Sequence, residues 1–164
     1  MRELTKVRDT VIAALQAAGL QTLTAFPAAR AGKYEEPVAT VSVGTAEGKT
    51  MGFCNYLGEI YDVSAGTVRE LYGKQLEGNI AVTIRGPGAA HCEAGCETAT
   101  EVLLGGLPEG IRPGELRWEA LKWEKETGMF LRQGLLQCQA IFTARGNEDS
   151  TAFLDFQLKG VLKT

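Results

Sequence analysis

The stretch LRWEALKWEKETGMFLRQGLLQCQAIFTA, residues 116–144, decides the fold. Its second half carries Leu136, Cys138, Ala140 and Phe142 at every other position. A period of two puts alternate side chains on one face of a strand, so a long strand is predicted here. In the first half Leu116, Trp118 and Ala120 alternate, and then Leu121 and Trp123 carry the apolar signal with shifted parity. A slip by one residue is what a β-bulge produces. KETG, residues 125–128, reads as the hairpin turn between the two halves.

The same period recurs on both sides. In GNIAVTIRG (78–86), Ile80, Val82 and Ile84 face one way and Asn79, Ala81 and Thr83 the other. In PVATVSVG (37–44), Ala39, Val41 and Val43 alternate with Thr40 and Ser42, and Pro37 suits the first position of a strand. LQTLTAFPA (20–28) reads as a short strand ended by Pro27. Downstream, NEDS reads as a turn and TAFLDFQLKGVL (151–162) as a last strand with Leu154, Phe156 and Leu158 inward.

Two segments have helical spacing instead. Leu4, Val7, Val11, Leu15 and Ala18 form one apolar stripe, and Gly19 follows where a left-handed stop is cheapest. Residues 89–104 form a second helix closed by Gly105-Gly106, with Cys92, Cys96, Ala99 and Leu103 on one stripe and Glu93, Glu97 and Glu101 on another. The predicted fold is α+β in the order α-β-β-α-β-β-β. It is a mostly antiparallel, twisted sheet of hairpins with two helices packed on one face. At 164 residues the chain is read as a single domain, 1–164.

Between Thr45 and Gly73 the period breaks up. The segment is rich in glycine yet holds Phe53, Tyr56, Leu57, Ile60, Tyr61 and Tyr72, too apolar for a plain linker. Two readings stand side by side: a meander of short strands packed into the domain, or a protruding loop or hairpin whose aromatics meet a partner.

HCEAGC, residues 91–96, holds the single histidine and two of the four cysteines. Two thiolates at i and i+4 can share a metal, but a closed zinc site needs four ligands, and on a helix His91 points about 100° from Cys92. Cysteine also behaves as a small buried hydrophobe, so the expectation is that Cys92 and Cys96 pack against the sheet, with no metal and no cofactor. GTAEGKT (44–50) is one residue short of a phosphate-binding loop and is not followed by a helical pattern. The paired carboxylates Glu35/Glu36, Glu124/Glu126 and Glu148/Asp149 read as solvated surface. No catalytic constellation emerges, and the chain is read as a non-enzyme. Its net charge of −3 does not attract nucleic acid, and no apolar run approaches a membrane span. The opening residues do not read as a signal peptide, so synthesis in a reducing cytoplasm is expected.

The opening helix LTKVRDTVIAALQAAGL, the strand PVATVSVG, the segment GFCNYLGEIYD, the middle helix, the 116–144 stretch and the closing FLDFQLKGVL together resemble phage and prophage tail-terminator (tail-completion, neck) proteins. The resemblance is one of element order over most of the chain, without a diagnostic short motif. It implies a compact α+β subunit that works without catalysis in a homo-oligomeric ring, commonly a hexamer, at the tail-to-head junction. The implied partners are the tail tube and head-connector proteins, and the implied locations are the bacterial host cytoplasm during assembly and then the virion tail. Phe53, Tyr56, Leu57, Ile60 and Tyr61 are the expected partner interface. The alternatives are another phage tail or connector component of similar fold, and a small Cys-ligated metal-binding regulatory or enzymatic domain.

Overall fold

The computed structural model describes residues 2–27, 34–145 and 157–158. Helix α1 (Arg2–Ala17) leads to β1 (Gln21–Leu23), β2 (Val38–Thr50), β3 (Tyr56–Asp62) and β4 (Thr67–Gly86). Helix α2 (Ala89–Glu101) follows, runs into a π-helical turn at Val102–Gly106, and gives way to β5 (Ile111–Trp118), β6 (Lys122–Glu124), β7 (Met129–Arg145) and β8 (Gln157–Leu158). The architecture is α+β, as expected, with one mixed but mostly antiparallel sheet in the order β1-β2-β4-β7-β5. Only β1–β2 is parallel among the described pairs. The described residues contain eight strands, more than the anticipated order, because a tight turn divides one long edge, a slip divides the other, and the irregular middle is itself β-structure.

The two central strands, β4 and β7, pair from Leu71↔Arg145 to Gly86↔Phe130 without a slip. Paired residues share a face, so Leu76, Ile80, Val82 and Ile84 join Leu136, Cys138, Ala140 and Phe142 beneath the helices. From α1 come Val7, Val11 and Leu15, all buried. Ala18 does not extend this stripe: it is exposed, and Leu20 is buried in its place. Gly19, at φ +87°, turns the chain. The Leu20 amide then donates to the Leu15 carbonyl and the Gly19 amide to Gln16. This is a Schellman stop, in which the residue after the glycine folds back onto the helix.

Helix α2 lies close to the sheet because small residues line the contact. A Cβ on Gly86 would sit 2.6 Å from the Cys92 nitrogen, and one on Gly95 would sit 2.8 Å from the Ile84 Cγ2. Trp118 reaches from β5 to α2, its indole Nε1 donating to the Thr100 hydroxyl at 2.9 Å.

The slip predicted within the first half of the 116–144 stretch, at Ala120–Leu121, is present. Trp118 faces Gly134 and Lys122 faces Leu131, so four steps on one side answer three on the other. The inward and outward assignments there need correction. Ala120 is exposed, and Trp123 is 56% exposed with its ring edge-on to Phe130 at 4.9 Å. Residues 44–50, which nearly match a phosphate loop, are part of β2. Glu124 is not simply solvated: it is half-buried and pairs with Arg85 at 3.2 Å. NEDS, Leu154 and Phe156 lie outside the described residues, while Leu158 packs on the core, as anticipated, and Gln157 is exposed. None of the described helices is long and apolar enough to cross a membrane.

Candidate interface: a two-stranded arm

Among the described residues, strand β4 pairs with β7 from Leu71 onward, and its first residues, Thr67–Glu70, pair with β3. Within those residues the result is a two-stranded arm, β3 with the start of β4, whose four pairs from Glu59↔Glu70 to Asp62↔Thr67 extend roughly 13 Å at ~3.3 Å per residue. The aromatic middle segment is thus strand: the end of β2, β3 and the start of β4, with Phe53, Tyr61, Val63 and Val68 exposed.

A tight turn launches the arm. Between β2 and β3, Gly52, Cys54 and Asn55 all have positive φ, at 58°, 50° and 68°. A side chain on Gly52 would overlap the Tyr56 carbonyl oxygen, so glycine is required. The Asn55 side-chain oxygen accepts the Met51 amide at 3.3 Å, and the Gly73 amide donates to the Asn55 carbonyl at 2.8 Å. At the tip, Asp62 closes the turn. Its Oδ1 accepts from the Ser64 hydroxyl at 2.6 Å, the Ser64 amide at 3.1 Å and the Ala65 amide at 3.2 Å. These bonds, the Ser64 hydroxyl first, hold the Asp62 carboxyl below its ordinary pKa, and Arg69 at 3.4 Å adds to the effect.

The register sorts the anticipated interface residues by face. Tyr56 lies opposite Tyr72, Glu59 opposite Glu70, and Tyr61 opposite Val68, all on the face that the helices cover farther along the sheet. The Tyr56 and Tyr72 rings meet edge to face at 5.7 Å. Tyr61 is 64% exposed. Leu57 and Ile60 belong to the other face. Leu57 occupies the bulge between Tyr56 and Gly58 and leans over Gly73, and Ile60 is half-buried opposite Arg69. Phe53 sits in the launching turn, 85% exposed. The five residues therefore share one arm but not one surface.

Sequence reading missed Val63, Val68, Glu59 and Glu70. The two valines are exposed at the tip and carry no period. The glutamates become notable only once the register sets them opposite each other, since like charges so placed are destabilising. The Tyr72 hydroxyl donates to Glu70 at 2.5 Å, which raises the Tyr72 pKa, while Glu59 makes no hydrogen bond or ion pair among the described residues. Desolvation raises the Tyr56 pKa, with Glu59 and Glu70 adding to it, so the arm presents neutral phenols beside carboxylates.

The cysteine stripe packs as anticipated. Cys92 and Cys96 are buried, and the Cys92 thiol donates to the Ile84 carbonyl at 3.4 Å. The neighbouring Cys92 and burial raise the pKa of Cys96, and burial pushes Cys138 to about 11. His91 and Cys54 are exposed and lie apart from that stripe. Among the described residues, no three His, Cys, Asp or Glu side chains gather as a set able to hold a metal ion.

No known family model matches the sequence, and no curated protein sequence matches it significantly.

Proposed function

We propose that the chain is a non-enzymatic virion subunit that assembles with copies of itself into a ring at a phage or prophage tail-to-head junction. The observation that carries this reading is the arm. Among the described residues its outer end pairs only β3 with β4, and it carries exposed Tyr61, Val63 and Val68. Isolated two-stranded hairpins are marginal in water, and exposed aromatics beside open strand edges suit protein contact. A contact made by an arm with a different surface of the next copy is heterologous, and such contacts close into rings or run on as filaments. The resemblance in element order supplies the tail-to-head setting. The tail tube and head connector are the outer partners, the host cytoplasm is the site of assembly, and the virion tail is its destination.

Sedimentation and electron microscopy of the full chain over a range of concentrations, alone and with tail-tube protein, test the reading. Rings are expected, and Tyr61→Ala with Val68→Ala should abolish them while leaving the melting temperature of the subunit nearly unchanged. A chain that stays monomeric at high concentration and ignores tail-tube and neck proteins would refute it.

A further inference from the structure

The sheet ends on each side in a strand with no outer neighbour among the described residues. On one side β1 pairs with β2 only at Val38–Thr40, which leaves residues 42–50 of β2 open. On the other side β5 is outermost. Residues 44–50 and 112–115 are exposed. Two antiparallel strands, β4 and β7, separate these edges, so β2 and β5 run in opposite directions. Both edges bulge at one level. Gly44 and Thr45 answer Asn79 alone, Gly114 and Glu115 answer Gln137 alone, and Asn79 pairs with Gln137. Past the bulge the levels still agree: Val43 with Leu116, Ala46 with Pro113, Glu47 with Arg112 and Gly48 with Ile111.

Main-chain groups turn to alternate sides along an antiparallel strand. The Gly73 amide donates to the Asn55 carbonyl at 2.8 Å, which turns Gly73 toward the β2–β3 side, and with it Glu77 and Ala81. Their partners Glu47 and Ser42 therefore bond inward, and Val43, Ala46 and Gly48 turn outward. On β5 the Gly110 carbonyl accepts the Ile141 amide, and the Glu119 amide donates to Gln133, both at 2.8 Å. Ile111, Pro113 and Leu116 thus turn outward. Outward groups fall at the same levels on both edges.

The row Glu47–Glu77–Gln139–Arg112 crosses the sheet on one face. Its interior is satisfied, since Glu77 takes the Lys49 ammonium and the Gln139 amide. Its two ends are opposite in charge, and neither Glu47 nor Arg112 makes a hydrogen bond or ion pair among the described residues.

We infer that the β2 edge of one copy pairs antiparallel with the β5 edge of the next, setting Glu47 beside Arg112. This rests on the ring reading and adds a strand-to-strand seam to the contact of the arm. The occupant is a second copy because direction, bulge and charge on one edge complement those on the other at the same levels. Val43 and Leu116 exchange two bonds across the seam, the Ala46 amide donates to Pro113, and the Gly48 amide donates to Ile111. Pro113 has no N–H to give and serves only as acceptor, and the Ile111 amide already donates to Pro108. Glu47 and Arg112 form a pair without main-chain bonds between them, where facing side chains come closest. Each copy keeps one edge of each kind free, so the seam propagates.

Charge reversal on the full chain tests this. Glu47→Arg and Arg112→Glu, each alone, place like charges across the seam and are expected to weaken assembly at least about tenfold by sedimentation. Both positions are exposed and unpaired, so thermal melts should match the parent. In an equimolar mixture of the two variants each edge meets an oppositely charged one, and assembly is expected to return, as it is in the double variant. Single variants that assemble like the parent, or a mixture and double variant that stay dissociated while melting like the parent, overturn the seam and leave the ring reading standing. A parent chain that never self-associates overturns both.

Discussion

The sheet contains two long hairpins built to one plan. In each, an outer edge is interrupted partway and then resumes: β2 and β3 along β4, β5 and β6 along β7. Each ends in a tight turn, at residues 63–66 and 125–128. Their outer ends differ in what surrounds them. At the tip of the second, Met129 is 1% exposed and Leu131 8%, and Arg85 of β4 ties down Glu124. At the tip of the first, the described residues of β4 pair with β3, and Val63 is 85% exposed. The difference lies in what covers each tip, since apolar residues without cover stay in water. On the proposed reading the first hairpin is the one that meets an outside partner.

The sharpest way to break this contrast is to truncate equivalent residues near the two tips. Met129→Ala empties a buried site and should cost about 2–4 kcal/mol in urea or thermal unfolding. Val63→Ala, at the tip of the arm, should fall within about 0.5 kcal/mol. Comparable losses at both positions would mean that the arm is packed in the isolated subunit, and the distinction would fail.

What was legible in the sequence follows the same division. The strands 78–86 and 129–144 and the helix stripe of Cys92, Cys96, Ala99 and Leu103 bury one face and expose another, and that asymmetry writes itself as a period. The arm does not. Tyr56, Leu57 and Ile60 straddle both faces across a bulge, and the left-handed turn at Gly52, Cys54 and Asn55 has no apolar signature. Residues 45–50 continue β2, but Glu47 and Lys49 alternate with Ala46, Gly48 and Thr50, which carry too little apolar surface to mark a strand face. Ala120 misled because alanine fits either face of a strand. The row of Glu77, Gln139 and Arg112 was illegible for another reason: the three come from three strands that only the register brings together.

A smaller effect is expected at the helix lying over the supported strands. Cys92→Ala and Cys96→Ala each remove a buried sulfur from the contact with the sheet and should cost about 1–2 kcal/mol. Neither should alter assembly, because neither thiol reaches the arm or the open edges. Elemental analysis of the parent chain purified without chelator should find no stoichiometric zinc. One zinc per chain, lost in either variant, would make these residues ligands and revive the Cys-ligated metal reading.

The smallest effect concerns the tip turns alone. Asp62 has a lowered carboxyl pKa because its charged form accepts the Ser64 and Ala65 donors. A group whose folded pKa is depressed contributes order above its unfolded pKa, and that contribution is lost as pH falls through the lower, folded value. The turn at 125–128 closes instead through the Gly128 amide on the Glu124 carbonyl at 2.9 Å, a main-chain bond with no proton to gain. On acidification the Ser64 and Ala65 amide resonances should therefore shift together, with a midpoint below the usual aspartate range. Gly128 serves as the internal reference. Asp62→Asn should remove the transition at Ser64 and Ala65 while leaving the melting temperature nearly unchanged. A Ser64 midpoint within the ordinary range, or one that survives in Asp62→Asn, would show that the carboxylate does not hold the tip. The arm would then reach its partner with a disordered end rather than a formed one, and ordering that end would count against assembly.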